Sequence, residues 1–191
     1  MHNRLFRFLS AAIFLACVQT AVIGYQVGER TYILRTGTEI RLKTEAVDPR
    51  DVLRGDYVVL NYAISHLRRD QIVGPIPVDS KEIRFNVRLV SGADGFAVVQ
   101  EASVEPLPPK HDSVVLVTEP VSFLPGMATN GTIAVRYGIE RFYLPEGEGK
   151  AVEQQRNQGA VTVAARVSMS GKVQLRQLFV DGQAVYQEPD F

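Results

Sequence analysis

Between Arg7 and Glu29 the chain carries no charged side chain. The apolar stretch from Phe8 to Tyr25, which Leu5, Phe6 and Val27 can extend, is long enough to cross a bilayer as a helix, a length of about 20 residues. Ser10, Gln19 and Thr20 are polar but uncharged, so they weaken such a span without forbidding it. Arg4 and Arg7 precede the run, while Glu29 and Arg30 balance each other after it. This asymmetry of positive charge places the N-terminus in the cytoplasm and the rest of the chain across the membrane. A cleaved secretory signal fits less well. The small residues Ala16 and Ala21 lie inside the run and are followed by Val22, Ile23 and Tyr25. Cys17 is preceded by Ala16 and Leu15 and followed by further apolar residues, which suits a membrane-buried thiol better than a lipidated N-terminus.

Cys17 is the only cysteine, so an intrachain disulfide and a thiolate metal cluster are both ruled out. Whatever follows the span must be held by its own apolar core. Roughly 160 residues remain for that purpose, ample for one domain. The formal net charge is zero and no basic run follows the span, so nucleic acid is not an expected partner.

Beyond the span the dominant period is two. Thr38 to Thr44 alternates charged and apolar residues, and Lys81 to Leu89 does so more regularly. In the second segment Ile83, Phe85, Val87 and Leu89 are expected in the core, with Glu82, Arg84, Asn86 and Arg88 facing water. Gly92-Ala93-Asp94-Gly95 signals a turn, with Phe96 to Ala102 returning as a hairpin partner. Pro106-Leu107-Pro108-Pro109 interrupts the pattern, since prolines cannot donate to a ladder. Val114 to Val117 and Thr132 to Tyr137 are further strands, with Pro125-Gly126 and Asn130-Gly131 as turns between them. Val161 to Val167, Val173 to Val180 and Gln183 to Tyr186 form a closing meander with turns at Ser170-Gly171 and Asp181-Gly182. Lys150 to Asn157 reads as a short helix, and Ser65 to Asp70 as a second. Gln26 to Arg35 is ambiguous between a continued helix and the start of the first strand.

The expectation is a mainly β protein: a sandwich or partly open barrel of about eight to ten short strands, one or two short helices and one N-terminal transmembrane helix. Residues 1–27 form a cytoplasmic stub and anchor, 28–37 a stalk, and 38–191 a single β-rich domain.

The densest charge lies at the entrance to an apolar strand. Asp48, Pro49, Arg50, Asp51, Arg54, Gly55, Asp56 and Tyr57 lead into Val58-Val59-Leu60-Asn61-Tyr62. Charged, glycine-bearing loops at strand ends are where sites are commonly built. The acids could ligate a divalent cation, but their spacing is not that of a calcium loop and Arg50 and Arg54 interleave with them. Local ion pairs and Asp turns explain them better. The stretch is reminiscent of signal-peptidase-like proteases, but Ala46 stands where the nucleophilic serine would be, and Ala46 has no oxygen to activate. On the strand, Leu60 and Tyr62 share the core side, while Tyr57 projects to the other.

A second cluster runs from Arg136 to Lys150, with Tyr137, Gly138, Glu140, Arg141, Pro145 and Glu146 as its candidate residues. Glu146 and Glu148 suit the positive end of a following helix. The glycines lack the Gly-Lys-Ser/Thr ending of a phosphate loop. His66 and His111 are isolated, so zinc is not expected, nor is any cofactor.

Gly55-Asp56-Tyr57-x-x-Leu60-x-Tyr62 resembles the motif that names the GDYXXLXY family of bacterial membrane-anchored proteins. Asp48-Pro49-Arg50-Asp51 resembles its lead-in, and Tyr137 to Phe142 with Leu144 to Gly147 resembles its second signature. The resemblance spans essentially the whole chain. It implies a bacterial single-span membrane protein, in some members accompanying a polytopic membrane protein; with the charge asymmetry around the span, the expected location is the inner membrane with the domain in the periplasm. It supplies no catalytic residue. The expected function is therefore a binding or assembly module that docks to another membrane protein. The alternative is a carboxylate-based hydrolase or small-ligand-binding protein using Asp48, Asp51, Asp56 and Glu146. The alternative requires those carboxylates to converge in one pocket.

Overall fold

The computed structural model describes residues 2–45, 57–77, 81–122, 131–143 and 161–188. Helix α1 (His2–Thr36) is followed by strands β1 (Thr38–Glu45), β2 (Tyr57–Val59), β3 (Asn61–Tyr62), β4 (His66–Arg68), β5 (Glu82–Ile83), β6 (Asn86–Ser91) and β7 (Ala97–Ser103). Then come β8 (Ser113–Val117), β9 (Val121–Ser122), β10 (Thr132–Ala134), β11 (Arg141–Tyr143), β12 (Val161–Val167), β13 (Val173–Val180) and β14 (Gln183–Gln187). The sheets are antiparallel, and none closes into a barrel.

From Arg7 to Thr36 α1 is long and apolar enough to cross a membrane, and its most apolar stretch has nothing packed on it. The ambiguous Gln26 to Arg35 segment is helical. Its last turns belong to the domain: Ile33 is 2% and Leu34 5% exposed. Arg30 Nη2 meets Glu188 Oε1 at 2.6 Å, and Lys172 Nζ meets the Glu29 carboxylate.

The main sheet has the order β14-β13-β12-β1-β3. β1 pairs with β12 from Thr38↔Val167 to Lys43↔Thr162. The closing meander forms as its turn signals require, with Gly171 and Gly182 both at positive φ. The second sheet, β7-β6-β8, contains the hairpin expected around Gly92 to Gly95. Leu42, Val163 and Leu178 from the first sheet join Val87, Leu89 and Leu116 from the second, and Phe85 just before β6, in one core.

Two expectations fail. Ser65 to Asp70 is not a helix. It consists of β4 between two single 3₁₀ turns, Ala63–Ser65 and Arg69–Gln71. Pairing of His66 to Arg68 with Thr132 to Ala134 overrides the local propensity. Arg88 does not face water; it is 1% exposed. Its guanidinium donates to Glu101 Oε1 at 2.7 Å, Ser113 Oγ at 3.0 Å and the Pro108 carbonyl at 2.6 Å. The chain around Pro108 covers that side of the sheet, and the arginine satisfies a carbonyl there. Ile83, Phe85, Val87 and Leu89 are buried as expected. The expected helix at Lys150 to Asn157 and the turns at Pro125-Gly126 and Asn130 lie outside the described residues.

Candidate functional site

The two signature segments lie side by side. Residues 132–143 run antiparallel to residues 57–68, from Thr132↔Arg68 at one end to Tyr143↔Tyr57 at the other. Between the paired strands the ribbon continues through Val135 N–H to the Ser65 carbonyl at 2.8 Å and Leu60 N–H to the Glu140 carbonyl at 2.8 Å. The register is the same on both sides of the Tyr137–Glu140 turn. The ribbon also extends the main sheet, since Thr44↔Tyr62 and Glu45↔Asn61 join β1 to β3.

Three side chains hold this arrangement. Tyr62 donates its hydroxyl to the Ile139 carbonyl at 2.6 Å. Tyr137 donates its own to the Ile64 carbonyl at 2.8 Å, so each tyrosine reaches across to the other's strand. Burial, with a smaller contribution from the Glu140 charge, pushes both phenols well above their usual range, so both remain donors. Glu140 turns back on its own loop. Its carboxylate accepts from Tyr137 N–H at 2.6 Å and Gly138 N–H at 3.0 Å. Gly138 supplies the φ of +79° that this turn needs, a value costly for residues with a Cβ.

The chemistry of these groups is thus largely occupied. Leu60 and Tyr62 are core, as their period indicates. Tyr137 is buried, Glu140 is bonded to backbone amides, and Arg141 lies exposed on β11. Tyr57 pairs through its backbone with Tyr143. Asp48, Pro49, Arg50, Asp51, Arg54, Gly55, Asp56, Pro145 and Glu146 lie outside the described residues. Sequence reasoning missed the pairing of the two signatures. The signal available for it was a buried-type tyrosine in each signature, and a buried hydroxyl needs a partner. Phe142 adds an edge-to-face contact with Tyr186 of β14, centroids 5.1 Å apart, which fastens the ribbon to the main sheet.

A cleft of about 730 Å³ lies elsewhere, between β1 and the second sheet. Its charged lining is mostly paired: Glu39 Oε2 meets Arg166 Nη2 at 2.9 Å, and the Arg41 guanidinium lies over the Phe179 ring at 5.3 Å. Among the described residues no group of three or more His, Cys, Asp or Glu side chains could hold a metal ion.

No curated protein and no solved structure matches the chain. The family model described as GDYXXLXY protein matches residues 19–178. That match takes in the end of the span, both paired signatures and most of the closing meander, and the chain is accordingly a member of the GDYXXLXY family.

Proposed function

We propose that this chain is an assembly module of the bacterial inner membrane. α1 is retained as a signal anchor with its N-terminus in the cytoplasm, and the β domain stands in the periplasm. The charged segments at Asp48 to Asp56 and Glu146 to Lys150 dock onto a second, polytopic membrane protein. The observation that carries this reading is the Tyr57↔Tyr143 rung. Through it the chain enters the ribbon from the first charged segment and leaves it into the second, so both are tethered to one end of a braced structure.

Polarity supports a further detail. β1 leads away from α1, and β3 pairs with the far end of β1 at Glu45. β2 lies one residue before β3, on the side away from the membrane. The partner must therefore present an extracytoplasmic portion at that height.

The experiment is affinity purification from detergent-solubilised membranes. Asp51→Lys with Arg54→Glu should lose a co-purifying polytopic protein, while Glu105→Lys on an exposed loop should keep it. Glu140 is unsuitable for charge reversal, since its carboxylate caps the Tyr137 turn. Retention of every partner by the double variant sinks the docking reading. Protease added to spheroplasts should remove the domain, and protection of the domain would reject the stated orientation.

A further inference from the structure

The membrane-ward edge of the main sheet has its own chemistry. The uncharged stretch of α1 from Phe8 to Gly28 rises by about 31 Å at 1.5 Å per residue, close to the hydrocarbon thickness of a bilayer. Glu29 and Arg30 then stand at the headgroups. Both are tied to the domain, Glu29 by Lys172 and Arg30 by Glu188. The Lys172 ammonium has its pKa raised first by the hydrogen bond to Glu29, and Tyr25, one turn further into the membrane side, adds to the effect.

Topology gives the same level. β1 starts at the end of α1 and leads away, so antiparallel β12 returns towards the membrane and turns there. The turn is tight, with Gly171 N–H on the Ser168 carbonyl at 3.0 Å and Ser168 N–H on the Lys172 carbonyl at 2.8 Å. It is also braced sideways. Val117 N–H donates to the Gly171 carbonyl at 3.0 Å, and a Cβ on Gly171 would come within 2.7 Å of Val117 Cγ2. At its tip Met169 is fully exposed. Beside it Tyr32 is 64% exposed, and the two line a groove of about 440 Å³ with Glu29 and Thr36. A rigid turn that holds a bare thioether side chain at headgroup height, beside Tyr32 one turn past the uncharged stretch of α1, has the composition of an interfacial contact.

We propose that the β12–β13 turn seats Met169 in the phospholipid interface beside α1, with Tyr25 and Tyr32 completing a lipid-facing surface. The domain is then held at two points and cannot swing about its anchor. This rests on α1 spanning the membrane, and the experiment separates the two claims.

The chain has no tryptophan, so single reporters are clean. Phe14→Trp, Met169→Trp and Val98→Trp are made in the full chain and reconstituted in phosphatidylcholine–phosphatidylglycerol vesicles. The lipids carry acyl chains either unlabelled or brominated near the headgroup. Val98 shares a cleft with His66, whose partner Glu45 ends β1 far from α1. The reporters at 14 and 169 should emit at shorter wavelength and lose emission in brominated lipid, and the reporter at 98 should do neither. Quenching at 14 without quenching at 169 overturns the proposal and leaves the span intact. No quenching at 14 overturns both. Because tryptophan itself favours interfaces, Met169→Cys in a Cys17→Ser background is the second measurement. A water-soluble maleimide should modify it several-fold more slowly in vesicles than Val98→Cys in the same background, and equal rates overturn the proposal.

Discussion

The hydroxyl of Tyr62 donates to the carbonyl of Ile139 at 2.6 Å, inside the protein and across the boundary between the two family signatures. The reciprocal bond from Tyr137 to Ile64 makes a pair of braces pointing in opposite directions. Each ties one signature to the other's backbone, so a change in either tyrosine should be felt by both strands.

Tyr62→Phe and Tyr137→Phe should each destabilise the domain by about 1–3 kcal/mol. Each leaves a buried carbonyl without its donor while keeping the ring volume. The double variant should lose less than the sum of the two, because the braces share the turn at Tyr137–Glu140. Urea unfolding of the full chain in detergent, followed by circular dichroism, measures this. Wild-type stability in both single variants would show that the hydroxyls contribute nothing to the ribbon.

The same hydroxyls fix an alkaline limit. An unfolded tyrosine releases its proton near pH 10, whereas burial holds both of these protonated to higher pH. Above about pH 10 the unfolded state therefore binds fewer protons than the folded state. Their contribution is fully present below that pH and is lost as pH rises towards the folded values. The slope is about 1.4 kcal/mol per pH unit for each tyrosine. Unfolding curves between pH 8 and about 11 should show this decline, and Tyr62→Phe should remove roughly half of it. An unchanged slope in that variant would assign the decline to other groups.

Gly138 and Glu140 shape the same turn by different means. Gly138→Ala places a Cβ at φ +79°, a cost of about 1–2 kcal/mol, while its contact with Glu119 Oε1 at 3.4 Å is an ordinary one. Glu140→Ala removes the acceptor for two backbone amides, with a loss of about 1–3 kcal/mol. Glu140→Gln should lose less, since one oxygen remains. Hydrogen exchange at the Tyr137 and Gly138 amides distinguishes the variants. Faster exchange is expected in Glu140→Ala, and protection equal to wild type there would remove Glu140 from the turn.

How much of this was legible depended on whether the cause was local. The core side of Lys81 to Leu89, the Gly92 hairpin and the closing meander follow from period two and turn chemistry. Those signals lie within a few residues of what they determine. The partnership of Tyr62 with Ile139 does not, because nothing within a few residues of either names the other. Ser65 to Asp70 has helical propensity without being a helix, for the same reason: His66 to Arg68 is a strand only because Thr132 to Ala134 lies beside it. Among the candidate residues, alternation placed Leu60 and Tyr62 correctly in the core. It could not show that Glu140 turns its carboxylate on its own loop.

Arg88 departs most clearly from the alternation of its strand. A period-two pattern assigns its side of β6 to water, yet Glu101 is its register partner on β7 and the chain at Pro108 closes over both. The proline-rich run offers carbonyls and few N–H groups, so the chain passing over the sheet needs a donor from below. Arg88 supplies it while pairing with Glu101 at 2.7 Å. Arg88→Met should cost about 3–5 kcal/mol, since it strands a partly buried carboxylate and a carbonyl together. Arg88→Lys should recover only part of this, because an ammonium cannot reproduce the fork that reaches Glu101, Ser113 and Pro108 at once. Glu101→Gln alongside Arg88→Met should restore some stability by removing the stranded charge. Limited proteolysis should find Lys110 cut faster in Arg88→Met than in wild type. Equal cleavage and equal stability would mean that the guanidinium does not hold that segment down.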